Sequence, residues 1–353
     1  MSDLPELIGV TAETMKLPTV SIVFLSYKQE RFVEEALLSA LRQDFECYEL
    51  VIADDASPDR TFSIIERVLS ENPNPRVRVK VIRQPKNLGI LGNFNSALAA
   101  ATGEIFVVMA GDDISYPLRV HRMAQAFASD ARIRAVNCAC RVIDGDGVVV
   151  TSRPPDSVCR VFEHGRGRKD PFAGAPVTGA CASYHRSLFD IFGPLPPDAN
   201  GEDVDYIFRA LLAGKVMHTG ETLVDYRIHE TNAFNYATTA ISDQDYLQRE
   251  IRFAEIISVR DRQWLRDLSA SLDVGLIDPV RGREISRAVN RHVDRHKLFA
   301  LSLGVAPMSD WWNVAKRLLV AGDFARVAKM LALRLFDNRR AAHLTWTKKR
   351  RGR

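Results

Sequence analysis

From residue 18 onwards, short β-rich runs alternate with longer segments whose apolar residues recur at helical spacing. The strand candidates are Val20–Leu25, Tyr48–Ala53, Val77–Ile82 and Ile105–Met109. Near-continuous apolar strands that are separated by helices predict a parallel sheet covered on both faces. With right-handed crossovers, these elements predict a Rossmann-like α/β half.

Two common nucleotide-binding classes do not fit this half. The segment SYKQER follows the first strand, where a dinucleotide-binding protein would carry GxGxxG, and GxxxxGK[ST] is absent from the sequence. A dinucleotide oxidoreductase and a P-loop NTPase are therefore disfavoured.

The pattern changes after Pro117, where strands and helices become mixed. The turn-rich Asp144–Gly147 lies between two β-rich runs and predicts a hairpin, and the Pro-, Gly- and Arg-rich stretch 154–176 predicts a long loop. Beyond about residue 240 the pattern is helical and rich in arginine. We expect an N-terminal segment (1–17), an α/β domain (18–240) and a basic helical C-terminal region (241–353).

The charge of the chain is divided between these regions. The formal net charge is +4, but residues 241–353 hold 23 Lys+Arg against 13 Asp+Glu, a balance of +10, and residues 1–240 carry −6. The five cysteines show no CxxC spacing, which predicts buried, reduced thiols in a cytosolic protein. The sequence shows no signal peptide and no apolar run of spanning length. We therefore expect a soluble protein or one that lies on a membrane surface.

Carboxylates follow two of the predicted strands. Asp54 and Asp55 come directly after one strand, and Asp112 and Asp113 follow Ala110-Gly111 at the end of another. Ligands of open parallel sheets bind beyond the carboxyl ends of the strands, so the two pairs are expected to converge. Oxygen ligands of this kind favour Mg²⁺ or Mn²⁺, ions that commonly bridge phosphates. The alternative is that these acids only cap helices.

The segments VSIVFLSYKQERFVEEALLSALRQDFECYELVIADDASPDRT and GEIFVVMAGDDISYPLR resemble the start of a family 2 glycosyltransferase with the GT-A fold. The resemblance extends over about residues 18–235. It implies an α/β fold with a Rossmann-like nucleotide-binding half and a mixed-sheet acceptor half, followed here by a C-terminal helical extension.

The resemblance assigns four residues to the donor nucleotide. Tyr27 matches the side chain that stacks on the base, and Asp55 matches the acid that hydrogen-bonds it. Asp112 matches the first acid of the so-called DxD motif, which faces the ribose, and Asn87 of KNLG shapes the nearby loop. A core aromatic is the alternative for Tyr27.

The resemblance assigns Asp113, the second acid of that motif, to a divalent cation, Mn²⁺ or Mg²⁺. His229 in DYRIHETN matches a late histidine that reaches the metal or the diphosphate in many relatives, and a structural histidine is the alternative. The chain departs from common family patterns at Ala110, where many relatives have an acid, and at Phe94, where many have arginine.

The resemblance also implies the chemistry. Gly179 resembles the glycine of the donor and acceptor loop, and Glu202-Asp203 resembles the motif that supplies the catalytic base, Asp203. A helix-terminal acid favoured by the helix dipole is the alternative for Asp203. The implied activity is metal-assisted, inverting transfer of a hexosyl or deoxyhexosyl group from a nucleoside-diphosphate sugar, UDP or dTDP favoured, to a glycan or lipid-linked hydroxyl in cell-surface polysaccharide biosynthesis.

The basic C-terminal region leaves several partners open. Its mixture of Trp311, Trp312, leucines and arginines suits an anionic membrane interface, such as the cytoplasmic face of an inner membrane. An ordinary helical appendage, or the surface of a homo-oligomer, is the alternative. A rival function is a catalytically inactive GT-A scaffold or nucleic-acid-binding protein that uses KKRRGR and the basic tail.

Overall fold

The computed structural model describes residues 16–151, 158–163, 178–197, 199, 201–230, 232, 259–302, 312, 313, 316 and 319. The chain divides into two compact units, Met1–Asn235 with Ala270–Ile277, and Tyr236–Ser269 with Asp278–Arg353. Much of the predicted loop 154–176 and the end of the basic tail lie outside the described residues.

In the first unit, the strands that the structure describes form one ten-stranded sheet. The strands are β1 (Val20–Ser26), β2 (Tyr48–Asp54), β3 (Val77–Arg83), β4 (Ile105–Ala110), β5 (Ile114–Ser115), β6 (Ile133–Ile143), β7 (Val149–Thr151), β8 (Arg160–Glu163), β9 (Ala182–His185) and β10 (Lys215–Arg227). The helices are α1 (Val33–Leu41), α2 (Thr61–Glu71), α3 (Gly89–Ala100), α4 (Arg119–Ser129), α5 (Ser187–Phe192) and α6 (Glu202–Ala213), with a short 3₁₀ helix at Gly179–Cys181.

The strand order is β3-β2-β1-β4-β9-β6-β10-β5, with β7 on β6 and β8 on β10. The pairs β1–β2, β1–β4 and β2–β3 are parallel, which confirms the predicted Rossmann-like half. From β9 onwards the sheet is mixed, because β9 runs antiparallel to β4 and β6. The fold is therefore α/β with a parallel half and a mixed half, as the sequence predicts.

Helices cover the two faces of the sheet. On β1, Ile22 and Phe24 pack into the cluster that includes α1, α2 and α4, and Val23 packs into the cluster that includes α3, α5 and α6. Successive side chains of a strand point to opposite faces, so an unbroken apolar strand needs both layers. The edge strand β3 is the exception, since Val79 and Val81 are exposed.

The structure corrects two details of the sequence prediction. The Asp144–Gly147 hairpin forms, with β7 antiparallel to β6, but strand β8 occupies part of the stretch that was predicted to be a loop. Cys47 and Cys159 are exposed, so the prediction that all five thiols are buried was wrong for these two.

In the C-terminal part of the chain, residues 259–273 are helical and α7 spans Pro279–Ser302. Ile285, Ala288 and Val289 are buried on α7, and Arg283, Arg287 and Arg291 are exposed at a spacing of four residues. No helix among the described residues combines the length and the hydropathy that a membrane span requires.

Candidate active site

Both carboxylate turns lie beside the end of β1. The amide of Asp55 donates to the carbonyl of Ser26 at 3.0 Å, and the amide of Gly111 donates to the carbonyl of Leu25 at 2.8 Å. A Cβ on Gly111 would lie 2.4 Å from Oε1 of Gln29 and 3.3 Å from the carbonyl oxygen of Leu25. A larger residue here would displace the end of the Gln29 side chain and crowd the backbone of Leu25.

The predicted nucleotide-binding residues surround this strand end. The Tyr27 side chain is 38% exposed, so it is not a core aromatic. Oδ1 of Asp55 accepts the amide of Leu88 at 2.7 Å, where α3 begins, and Oδ1 of Asn87 accepts the amide of Gly89 at 3.1 Å. Burial raises the pKa of Asp55. The backbone hydrogen bonds from Leu88 and Gly89 lower it and so offset part of that increase. Asp55 and Asn87 thus fix the loop that leads into α3.

Asp112 and Asp113 follow β4 and are both largely buried. Oδ1 of Asp113 accepts the backbone amide of Arg227 at 2.8 Å, whereas its buried Oδ2 has no hydrogen-bond partner. Nε2 of His229 lies 3.0 Å from Oδ2 of Asp112, and its ring packs 4.6 Å, between centroids, from that of Phe32. The structure therefore places the ring of His229 against Asp112, the neighbour of Asp113.

Burial and, secondarily, the charge of Asp112 raise the pKa of Asp113 well above its ordinary value. An unpartnered acceptor oxygen in such a position fits a cation, which would stabilise the ionised carboxylate. No cluster of three or more His, Cys, Asp or Glu ligands occurs among the described residues.

The second acidic pair begins α6. The amide of Val204 donates to Oδ1 of Asp203 at 2.7 Å, and the amide of Gly179 also donates to this carboxylate. A Cβ on Gly179 would lie 2.5 Å from Oε1 of Glu202, so a larger residue here would displace the Glu202 carboxylate. Asp205 is completely buried, which agrees with its helical offset from Asp203.

Burial raises the pKa of both acids at the start of α6. Burial and the charge of Asp203 raise the pKa of Glu202 to about 7. Burial also raises the pKa of Asp203, against its backbone hydrogen bonds. Asp203 therefore holds a proton more readily than an exposed aspartate does.

Two buried arginines that the sequence analysis did not single out connect these parts. Nη2 of Arg119 donates to the carbonyls of Val108 on β4 at 2.8 Å and of Ala180 in the 3₁₀ helix at 2.7 Å. Arg227 donates from Nε to the carbonyl of Asp112 at 2.9 Å and from Nη2 to Glu35 at 2.6 Å. Arg119 thus ties the 3₁₀ helix with Gly179 to the strand that leads to the aspartates.

A profile of the Glycosyl transferase family 2 domain matches residues 21–192, which hold the parallel half and the aspartate pairs after β2 and β4. This part of the chain belongs to glycosyl transferase family 2. The match ends before Glu202 and Asp203.

Curated relatives agree with this assignment. An uncharacterized glycosyltransferase of Nostoc sp. is 27% identical over 235 residues, which are 64% of this chain and 70% of the relative. The succinoglycan biosynthesis protein ExoO of Rhizobium meliloti is 34% identical over 131 residues, 37% of this chain and 36% of ExoO. The chain thus spans well under half of ExoO.

A solved structure shares the fold. The mannosyltransferase PcManGT from Pyrobaculum calidifontis, in complex with GDP-Man and Mn²⁺, aligns over 94% of this chain and 84% of its own, with a TM-score of 0.50 and 19% identity. The fold of the chain is therefore of the GT-A type.

Proposed function

We propose that the chain moves a sugar from a nucleoside-diphosphate sugar to a hydroxyl group of a glycan or lipid-linked acceptor, with inversion at the anomeric carbon. The observation that carries this proposal is the pairing of two differently built acidic sites. One leaves a buried oxygen of Asp113 without a partner, and the other presents Asp203 at the start of a helix beside Gly179. Arg119 connects the two sites, because its side chain donates to the carbonyl of Val108 on β4 and to that of Ala180, next to Gly179.

The donor nucleotide lies at the end of β1 in this proposal. The exposed ring of Tyr27 stacks on the base, and Asp55, held by the backbone of the α3 loop, accepts a hydrogen bond from the base. Asp112 faces the ribose. GDP-Man in PcManGT supports a nucleoside-diphosphate sugar as the donor, without selecting the base for this chain.

Asp113 holds a divalent cation, Mn²⁺ or Mg²⁺, and its unpartnered Oδ2 supports this assignment. Mn²⁺ in PcManGT supports it as well. When bound, the cation neutralises charge on the departing diphosphate as a Lewis acid. The chain itself fixes the carboxylate, because the backbone amide of Arg227 holds its other oxygen. His229, against Asp112, orients that neighbouring acid or completes the cation site.

Asp203 takes the proton of the acceptor hydroxyl. The acceptor oxygen forms the new bond to the anomeric carbon, the bond from that carbon to the diphosphate oxygen breaks, and the nucleoside diphosphate leaves. The amides of Gly179 and Val204 hold Asp203 in place, so its contribution depends on position as well as on basicity. A single base opposite the leaving group leads to inversion.

A thermal-shift screen of UDP-, dTDP- and GDP-sugars with Mn²⁺ tests the donor class, because a ligand that binds only the folded state raises the melting temperature. With the donor found, NMR of the product formed on a simple sugar acceptor gives the anomeric configuration. An inverted product is expected. A retained configuration would contradict the role of Asp203, and the absence of any stabilising nucleotide sugar would favour the inactive-scaffold alternative.

We further propose that the protein works in the cytoplasm, at an anionic membrane surface where lipid-linked acceptors reside. The exposed stripe Arg283, Arg287 and Arg291 on α7 supports this proposal. Flotation with vesicles of phosphatidylglycerol and phosphatidylcholine compares the protein with a variant that carries Arg→Glu at all three positions. Equal flotation of the two proteins would remove the membrane proposal, and salt-sensitive binding of generic DNA instead would favour the nucleic-acid alternative.

A further inference from the structure

The side chain of Arg227, at the end of β10, joins three segments around the two aspartates that follow β4. Its Nε donates to the carbonyl of Asp112 at 2.9 Å, and its Nη1 donates to the carbonyls of Asp144 and Gly145 at 3.3 and 3.4 Å. Its Nη2 pairs with Glu35 of α1 at 2.6 Å. The guanidinium group therefore holds the aspartates, the hairpin after β6 and helix α1 together.

The backbone of the same residue contacts the proposed cation ligand. The amide of Arg227 donates to Oδ1 of Asp113 at 2.8 Å, and Oδ2 is the oxygen without a partner. The anchored guanidinium limits the movement of the Arg227 backbone, and the backbone amide limits the rotation of the Asp113 carboxylate. The direction in which the unpartnered oxygen points thus depends on how firmly the Arg227 side chain is held.

The start of α1 contacts Arg227 through two residues. The Arg227 guanidinium lies 5.0 Å from the centre of the Phe32 ring, and that ring packs 4.6 Å, between centroids, from the ring of His229. Phe32 directly precedes α1, and Glu35 lies three residues later. Residues at this spacing share one face of a helix. One face of α1 therefore supplies both an aromatic ring and a carboxylate to Arg227.

The burial of Arg227 gives its ion pair a particular importance. Its side chain is only 3% exposed, whereas that of Glu35 is 60% exposed. A buried cation without a partner is costly, and it repels a second cation nearby. It also competes with a metal ion for carboxylate oxygens. The charge of Glu35 offsets that of Arg227 and so leaves Asp113 available to a divalent cation.

We propose that Arg227 is a positioning residue for Asp113, and that Glu35, by neutralising Arg227, sets the affinity of the site for a divalent cation. Both residues act through Asp113 rather than on the sugar. The part that concerns the cation rests on the proposed function. The positioning of Asp113 by Arg227 does not depend on it.

The neighbouring Glu34 provides a matched control. It also pairs with an arginine at 2.6 Å, but its partner is the half-exposed Arg67 of α2. The side chain of Glu34 is 50% exposed, close to the value for Glu35. Glu34→Gln and Glu35→Gln therefore remove the same charge from the same helix, and only the second change removes it from Arg227.

Hydrogen exchange of the full chain, without metal or nucleotide, tests the positioning role. The amide of Arg227 reports directly on its bond to Asp113. In Glu35→Gln we expect this amide to exchange about 10-fold faster than in the parent protein, because a hydrogen-bonded ion pair that anchors the residue is lost. Glu34→Gln should exchange like the parent. Equal exchange of this amide in the two variants would overturn the positioning role.

Calorimetric titration with Mn²⁺, in the presence of the nucleoside diphosphate found in the thermal-shift screen, tests the role of Glu35. Glu35→Gln should bind Mn²⁺ about 10-fold more weakly than the parent, and Glu34→Gln should bind it equally well. Similar melting temperatures of the two variants exclude a general loss of folding as the cause. Equal Mn²⁺ affinities in the two variants would overturn the role of Glu35. If the parent shows no Mn²⁺-dependent binding but the amide exchanges as expected, the proposed cation site fails and the positioning role stands.

Discussion

The two acidic pairs of the first unit look alike in the sequence and differ in how the fold treats them. At the end of β4, Asp113 keeps one buried oxygen without a partner and has a cationic side chain, Arg119, nearby. At the start of α6, Asp203 accepts backbone amides from Gly179 and Val204. The first environment leaves an acceptor oxygen that a cation would satisfy. In the second, backbone amides stabilise the ionised carboxylate of Asp203, whereas burial favours its protonated form. We infer that one pair serves a metal and the other a proton.

The largest expected effect comes from Asp203→Asn. This substitution removes the proton acceptor but keeps the size of the side chain, so transfer should fall by about 10²–10⁴-fold. Nucleotide-dependent stabilisation should be unchanged, because the β1 end and Asp113 are untouched. Turnover measured with saturating donor tests this, and unchanged turnover would refute the assignment of the base.

The second largest effect is expected on metal-dependent nucleotide binding, through the pair Asp112 and Asp113. Asp113→Ala removes the carboxylate with the unpartnered oxygen, and we expect the Mn²⁺-dependent part of nucleoside-diphosphate binding to disappear. Glu104→Gln is a matched control, since Glu104 accepts the amide of Thr19 at 2.8 Å and takes no part in the proposed site. If the control loses the Mn²⁺ dependence equally, the effect is not specific to Asp113.

Two glycine substitutions test whether the two acidic sites differ in packing. Gly179→Ala places a Cβ 2.5 Å from Oε1 of Glu202, so the Glu202 carboxylate beside Asp203 must move, and transfer should fall by about 10-fold. Gly145→Ala is the counterpart beside His229, where the nearest atom to a new Cβ lies 3.9 Å away. Its transfer rate should stay close to that of the parent protein. Similar losses in both variants would show that the acidic sites do not differ in packing.

The smallest effect is on stability. The folded-state pKa of Glu202 is raised to about 7, so the stability that its protonated form provides is present at low pH and is lost as pH rises through about 7. Glu202→Gln carries no such charge, and its melting-temperature advantage over the parent should grow by a few degrees from pH 6 to pH 8.

Glu104→Gln again provides the control. The backbone amide of Thr19 lowers the pKa of Glu104, so its contribution to stability is already complete at pH 6 and stays constant to pH 8. A difference that does not change with pH is therefore expected for this variant. An equally constant difference for Glu202→Gln would contradict the raised pKa of Glu202.

The predictable part of this molecule is local. Strand periodicity located β1 to β4 to within a residue, and the order of strands and acids indicated the sheet edge at which the two aspartate turns lie. Cross-sheet contacts were not predictable: β8 lies in a stretch of loop-like composition, because its pairing with β10 outweighs its low local propensity.

The arginines illustrate the same limit within the candidate site. The sequence around Arg119 does not show that its side chain reaches the carbonyls of Val108 and Ala180. Ala180 in particular is distant from Arg119 along the chain. Arg227 offered a weak signal, because it lies two residues before the predicted site residue His229. Its contact with Asp113 still depends on the register of β10 against β5.

Calorimetry of nucleoside-diphosphate binding with and without Mn²⁺ tests the division between the two acidic pairs most directly, in the parent protein, Asp113→Ala and Asp203→Asn. The nucleotide is the one found in the thermal-shift screen. The parent and Asp203→Asn should bind more tightly with Mn²⁺, and Asp113→Ala should bind equally weakly with and without it. Equal dependence on Mn²⁺ in both variants would contradict the assignment of the cation to one pair and the proton to the other.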